Sequence, residues 1–512
     1  MKIVTAAEMR EIDRRTMERG IPGPVLMENA GCRVVDYIKE TFAPLSTHRV
    51  SVFCGKGNNG GDGFVIARQL WQQRICASLS VIEISDAARL AGDAAGARKM
   101  LVASGCPILA EIPDEAFYST LVIDALLGTG IRGAVTGKAA EWIHIINSRF
   151  PYAAKIAVDL PSGFPTDEAE PAGEYVNTGH TVTFTALKRS QAFSPSYEAM
   201  GQLRVCPIGT PDDLCETNPE LQLRLVTIPD LQSLFTPRPR NSNKGMYGHV
   251  LVVGGSTAKP GAPSMAGLAA LRAGAGLSTV ASSESAIAAI AGYSPALMTE
   301  PLAETSSGNV SDAALERIQE LLKNKTVLAL GPGLGTERST VALVRDLYHS
   351  AEIPMVVDAD GLNAMVGADL KTDRIRVLTP HPGEMGRLVG MSAKQVQAAR
   401  FEIAAKFARD TNTTVVLKGD RTLIAFPGGE TWVNPTGSPA LATGGTGDIL
   451  TGMVAGLMAQ HSRDWKRAVV AAVWLHGRAA QLGEIELGEE SFIATDLLRF
   501  LPAAIQECRA AL

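Results

Sequence analysis

At 512 residues the chain is too long for one ordinary core and should form two large domains or about three smaller ones. A hydrophobic content of 46% with 20% charged residues excludes a disordered chain. A net charge of −5 with no long basic run argues against a nucleic-acid or membrane-surface partner.

The elements begin with Thr5-Ala6-Ala7-Glu8, a capping box that should open a charged helix ending near Gly20. This start is not a signal peptide, and no apolar run approaches the ~20 residues of a membrane span. The seven cysteines include no C-x-x-C pair and read as reduced structural thiols of a cytoplasmic protein. Buried strands are expected at 49–54, 77–84, 120–126 and 155–161, with crossover helices between them. That grammar predicts a doubly wound, largely parallel α/β sheet, whose ligands sit outside the carboxyl ends of its strands. Residues 210–247 are rich in Pro, Asn and charge and read as a linker leading into a second α/β domain. Its strands are expected at 248–255, 278–282, 326–331, 354–359, 376–380 and 414–420. The two halves share this grammar but not a set of motifs.

In the first half, the strand 49–54 feeds Gly55-Lys56-Gly57-Asn58-Asn59-Gly60-Gly61-Asp62-Gly63 and then a helix. The glycines fit the G-x-G-x-x-G phosphate loop, and Glu83 stands near the distance of its ribose-binding carboxylate. Asp62 fits that reading poorly, since it would compete with phosphate for the positive helix end. It needs a cation nearby or a role as a helix cap. Asp124 ends a strand before Gly128, Gly130 and Gly133, and Asp159 ends another before Leu160-Pro161-Ser162-Gly163. One strand-end Asp is more often a cap, but three such loops in one sheet favour a shared cleft. Oxygen ligands from Asn59, Asp124 and Ser162 would suit a hard cation rather than zinc.

Together, NNGGDG, DALLGTGIRG and VDLPSG resemble the NAD(P)H-hydrate epimerase family. The resemblance implies a Rossmann-like domain, over residues 1–215, that binds hydrated nicotinamide dinucleotide and a potassium ion. It implies substrate contacts at Asn58, Asn59, Gly60, Gly61, Asp62, Gly128, Thr129, Gly130, Ile131, Arg132, Gly133, Ala134 and Asp159. Potassium would be held by Asn59, Asp124 and Ser162. Asp159 is the expected proton-handling group, because a carboxylate is the available base there.

In the second half, Thr443-Gly444-Gly445-Thr446-Gly447-Asp448 precedes an apolar helix. Its glycines should form an anion hole, and a carboxylate inside that hole suits proton removal from an attacking hydroxyl. The motif resembles the G-x-G-D element of ribokinase-like kinases. With GAP (261–263), GPGLG (331–335), VVDADGLN (356–363), TPHPGE (379–384) and KGDRT (418–422), it resembles the ADP-dependent NAD(P)H-hydrate dehydratase family. That family implies a ribokinase-like domain over residues 225–512, using ADP and magnesium. Ala262, Gly333, His381 and Asp448 would contact the hydrate, and Lys418, Gly419, Asp420, Arg421, Thr422 and Gly447 the nucleotide. Asp358 and Asp360 read as strand-end caps or magnesium neighbours and receive no role. The expected protein is a homo-oligomeric repair enzyme with Asp159 and Asp448 as its catalytic groups. A small-molecule kinase with a regulatory dinucleotide domain is the alternative, followed by a non-enzymatic dinucleotide sensor.

Overall fold

Thr5 caps the helix Ala6–Glu18 through the expected box: its side chain accepts from the Glu8 N–H and the Glu8 carboxylate accepts from the Thr5 N–H. The structure is a computed structural model that describes residues 1–84, 90–131 and 133–510. The expected contact Arg132 therefore lies outside the described residues. Contacts divide the chain into two units, Met1–Leu223 and Arg224–Leu512.

The first unit is built on a six-stranded, wholly parallel sheet. Its spatial order is Ser78–Glu83, Arg49–Cys54, Leu121–Ala125, Ala154–Val158, His180–Phe184, Gln202–Cys206. Val50, Val52 and Cys54 enter one core and Phe53 the other, as the two-residue period of a doubly covered strand requires. In chain order the strands run 2-1-3-4-5-6, so the winding reverses between Arg49–Cys54 and Leu121–Ala125. The crevice beyond their carboxyl ends is where such sheets bind ligands. The last two strands carry little apolar signal: in His180–Phe184 the buried Thr181 and Thr183 satisfy their hydroxyls on Met200 O and Asp159, and in Gln202–Cys206 only Cys206 is buried.

The helix after Arg49–Cys54 starts at Asn58, with Gly57 as its N-cap, so NNGGD forms helical turns rather than an open loop. Asp62 lies in the second turn and caps nothing. Gly60 is required by proximity: a Cβ there would stand 2.0 Å from Gly55 O. Glu83 is buried and bound to Arg98 Nε at 2.9 and 3.1 Å, which removes it from the ribose role of the dinucleotide fingerprint.

In the second unit seven parallel strands lie in the order Met298–Leu302, Leu277–Ser283, His249–Val253, Val327–Leu330, Met355–Val357, Arg376–Leu378, Thr414–Leu417. An antiparallel hairpin, Leu423–Ala425 and Thr431–Val433, extends the sheet. The winding reverses between His249–Val253 and Val327–Leu330. Most of the stretch read as linker is built in: Leu231, Leu234 and Phe235 are buried in this unit's core. The helices Gly261–Arg272 and Thr446–Gln460 pack backbone to backbone. A Cβ at Gly452 would stand 2.0 Å from Ala266 O, and one at Gly456 2.5 Å from Ala270 O.

A backbone oxygen cannot turn aside as a side chain can. Gly452→Val should therefore destabilise the second unit by about 2 kcal/mol or more. Denaturant unfolding followed by tryptophan fluorescence measures the shift.

Candidate active sites

At the switch point of the first unit, Asp124 is fully buried at the end of Leu121–Ala125. Its carboxylate accepts from Ser162 Oγ at 2.5 Å, Ser162 N at 2.8 Å and Leu126 N at 3.3 Å. Burial pushes its pKa up to about 6, against the lowering effect of the Ser162 and Leu126 bonds. Asn59 donates Nδ2 to Leu127 O at 2.9 Å, which leaves its Oδ1 buried with no hydrogen-bond partner among the described residues. A buried acceptor without a donor is costly, and a cation satisfies it. An orphaned amide oxygen, a serine oxygen and a carboxylate lacking a countercharge make a donor set that fits potassium.

Beside them is a cavity of about 370 Å³ lined by Asn58, Asn59, Asp62, Gly128, Thr129, Gly130 and Asp159, all expected there. Gly60 and Gly61 pack beneath it, on Gly55 and Met27, and Ile131, Gly133 and Ala134 do not line it. Asp159 holds a left-handed backbone, φ +67°, at the end of Ala154–Val158. Its carboxylate accepts from Lys188 Nζ at 2.5 Å and Thr183 Oγ1 at 2.8 Å, and its carbonyl from Gln191 Nε2 at 2.6 Å. Those three bonds hold a conformation that a non-glycine residue seldom keeps. Three more carboxyls line the cavity, those of Asp13, Asp62 and Asp93. Asp62 is raised well above the usual carboxylate range by burial and by the Asp159 and Asp13 charges. Asp13 is raised to about 6, chiefly by burial.

In the second unit the expected residues gather at the carboxyl ends of five parallel strands. Asp448 is the third residue of the helix Thr446–Gln460, whose N-cap Gly445 has φ +97°. Burial raises its pKa to about 7, with further upward pressure from Asp358 and relief from Lys418. The first-turn N–H groups have no partner inside the helix and stand free to meet an anion. Lys418 Nζ lies 2.8 Å from Asp358 Oδ1 and 3.8 Å from Glu384 Oε2, and a Cβ on Gly447 would stand 3.3 Å from it. Burial alone would lower Lys418, but Asp358, Glu384 and Asp448 outweigh it and keep the ammonium charged.

His381 caps the helix Pro382–Val389, accepting on Nδ1 from Gly383 N and Glu384 N, which leaves Nε2 to carry the ring proton. Glu384 closes that box by accepting from His381 N at 2.8 Å. Ala262 and Gly333 are neighbours: a Cβ on Gly333 would lie 3.2 Å from that of Ala262. The loop Lys418–Thr422 contains two left-handed residues, Gly419 and Arg421, and is braced from below by Arg400, whose guanidinium donates to the carbonyls of Asp420 and Leu417.

Sequence reasoning missed several members of both sites. Lys188 ends a two-residue strand and Asp13 sits on a helix that reads only as charged, so neither carried a local signal. Asp358, left without a role, is the buried partner of Lys418 and accepts from Thr451 Oγ1 at 2.7 Å. Asp360 accepts from Gly335 N at 2.9 Å and pairs with Lys259 at 3.3 Å. His476, buried and lowered to about 4, donates to Thr446 O at 2.9 Å and fixes the start of the Asp448 helix.

A family model described as NAD(P)H-hydrate dehydratase matches residues 250–503, and one described as YjeF-related protein N-terminus matches residues 23–190. The bifunctional NAD(P)H-hydrate repair enzyme Nnr of Moorella thermoacetica is 41% identical, over 99% of this chain and 97% of its own length. Among solved structures, the ADP/ATP-dependent NAD(P)H-hydrate dehydratase of Bacillus subtilis, co-crystallised with ATP and Mg²⁺, is 34% identical with a TM-score of 0.50. It covers 56% of this chain and 98% of that one. A ribokinase-like superfamily protein of Enterococcus faecalis, 24% identical with a TM-score of 0.50, covers 56% of this chain and 96% of its own and gives the fold of the second unit. With identity sustained from end to end and both halves matched by their own models, the chain belongs to the bifunctional NAD(P)H-hydrate repair enzyme family.

Proposed function

We propose that this chain repairs hydrated nicotinamide dinucleotides at two sites. The first unit interconverts the R and S hydrates of NAD(P)H. The second dehydrates the S epimer to NAD(P)H, consuming ADP and releasing AMP and phosphate. The observation that carries the reading is Asp448: a carboxyl with a pKa near 7, in the first turn of a glycine-capped helix and beside the buried Lys418–Asp358 pair.

Hydroxide at C6 of the reduced ring is a poor leaving group, and phosphate is a good one. Asp448 takes the proton of the C6 hydroxyl as its oxygen bonds to the β-phosphorus of ADP and the bond to AMP breaks. The first-turn N–H groups and the Lys418 ammonium stabilise the transferring phosphoryl. The ring nitrogen's lone pair then expels phosphate, and loss of a proton from C5 restores the C5–C6 double bond. Asp358 and Asp360 are already matched to Lys418 and Lys259, so magnesium would enter on the nucleotide's phosphates rather than in a protein-built cage.

At the first site, Asn59, Asp124 and Ser162 would hold potassium, which supplies the countercharge that Asp124 lacks. Asp62, held protonated by burial, and Asp159, ion-paired with Lys188, offer an acid and a base in one cavity. Moving a hydroxyl between the faces of C6 needs both: one protonates the departing oxygen, the other takes a proton from the water that returns.

Incubation of mixed hydrates with ADP, resolved by epimer, should consume both forms and yield NAD(P)H, AMP and phosphate. Accumulation of a stable phosphorylated product would instead favour a kinase. Dehydratase kcat/KM should fall as pH drops below about 7, and Asp448→Asn should lower it by roughly a hundredfold or more while ADP still binds.

The same carboxyl has a stability signature. Its folded pKa lies above its ordinary 3.8, so the folded chain holds that proton longer and stability declines as pH rises from about 4 through 7. Asp448→Asn should therefore gain on the parent by roughly 1–3 kcal/mol at pH 8 and by nothing near pH 4 in denaturant unfolding.

Replacing potassium by tetramethylammonium at constant ionic strength should slow epimerisation. Potassium at a hundredfold excess over its Kd should stabilise the first unit by roughly 2–3 kcal/mol, and this gain should vanish in Asp124→Asn. Equal unfolding midpoints in both salts would remove potassium from the site.

A further inference from the structure

The second unit contains a cavity that the proposed chemistry does not use. It has a volume of about 510 Å³ and lies where the helices Gly261–Arg272 and Thr446–Gln460 end and the strands His249–Val253 and Leu277–Ser283 begin. It is thus at the amino ends of the parallel strands, away from Asp448. The helix Thr446–Gln460 has 15 residues, which sets the two sites roughly 20 Å apart.

Three guanidinium groups line this cavity, those of Arg238, Arg272 and Arg509, and among the described residues no carboxylate does. Two helix C-termini reach it and together offset about one positive charge, leaving a surplus of about two. Arg238 lies flat on the Tyr247 ring, 3.6 Å from its centre, and donates to Gly274 O and Gln460 Oε1. Arg509 spends Nε on Phe235 O at 3.1 Å. Arg272 forms no hydrogen bond or ion pair among the described residues. Tyr247, also in the lining, has a buried hydroxyl with no hydrogen-bond partner among the described residues. The remaining wall is largely apolar, with Phe235, Met246 and Leu271. Capping of helix ends explains Arg238 alone. It leaves Arg272, the Tyr247 hydroxyl and the volume without an account.

We propose that this cavity binds an organic phosphate of nucleotide size. The spare guanidinium groups would fork onto phosphate oxygens, the Tyr247 hydroxyl would gain its partner, and the apolar wall would cover a base or ring. Much of the wall comes from residues 234–247, the Pro- and Arg-rich stretch that reads as a linker. The site is separate from the nucleotide contacts at Lys418–Thr422, and its occupation would bear on Asp448 through the shared helix.

Photolabelling of the full chain with 8-azido-ADP, followed by peptide mapping, tests this. Two groups of labelled peptides are expected, one from the catalytic loops and one from residues 234–247 or 502–509. Arg272→Glu with Arg509→Glu should reduce the second label roughly tenfold or more and leave the first intact, which also reports that the unit is folded. Arg272→Gln alone, a milder change, should reduce it in part. The proposal fails if only catalytic peptides are labelled, or if the second label survives both variants. It also fails if its loss comes with a change in oligomer mass by light scattering, because the cavity would then be a contact between copies of the chain.

Discussion

A buried aspartate at the end of a parallel strand needs a cation beside it, and both sites are organised by that need. In the first unit the aspartate is Asp159 and the cation Lys188; in the second they are Asp358 and Lys418. Each lysine is itself largely buried, so neither member of a pair can be removed without leaving an uncompensated charge. One ammonium group cannot neutralise two carboxylates, however. A second carboxyl stands near each pair and is driven towards its protonated form: Asp62 near Asp159, and Asp448 near Asp358. Burial, reinforced by the like charge alongside, leaves each site with an ion pair and beside it a carboxyl raised well above its ordinary range.

The sheets decide where this happens. Strand order 2-1-3-4-5-6 in the first unit and 3-2-1-4-5-6-7 in the second each open a crevice where the winding reverses. Loops from several strands converge there, and residues far apart in sequence become neighbours. Lys418 and Asp358 are 60 positions apart, and the first cavity is lined by Asp13, Asp93 and Asp159 from three separate segments. Glycine permits the close approach in both cases, at Gly60 against Gly55 and at Gly447 under Lys418.

Much of this was legible in the sequence because it is local. A strand followed by glycines and a carboxylate announces a site at a strand end, and the loops that carry Asn59, Asp124 and Ser162 to one crevice were readable in this way. What was not legible depends on distant segments. Asp13 comes from a helix that reads only as charged, and Lys188 from a chain segment with almost no periodic signal. The helix start at Asn58 was misplaced because two asparagines and two glycines look like a loop. They are helical because Gly60 and Gly61 must press against Gly55 and Met27. The strand His180–Phe184 escaped notice because its buried threonines are satisfied by bonds that only the fold supplies, and Gln202–Cys206 because only its last residue is buried.

The second unit's fold is shared with kinases, and on the proposed reading nothing in its proton-handling machinery separates a kinase from a dehydratase. A glycine-capped helix, a lysine and a carboxyl titrating near 7 suffice to move a phosphoryl group onto a hydroxyl. The distinction lies in the substrate. A phosphate placed on C6 sits beside a ring nitrogen whose lone pair can expel it, so transfer leads on to elimination. The stereochemistry at C6 then matters, because a fixed Asp448 meets the hydroxyl from one direction. The epimer that points the other way stays unreacted unless something inverts it. A second site on the same chain, with its own acid and base, removes that limit without any change to the geometry around Asp448.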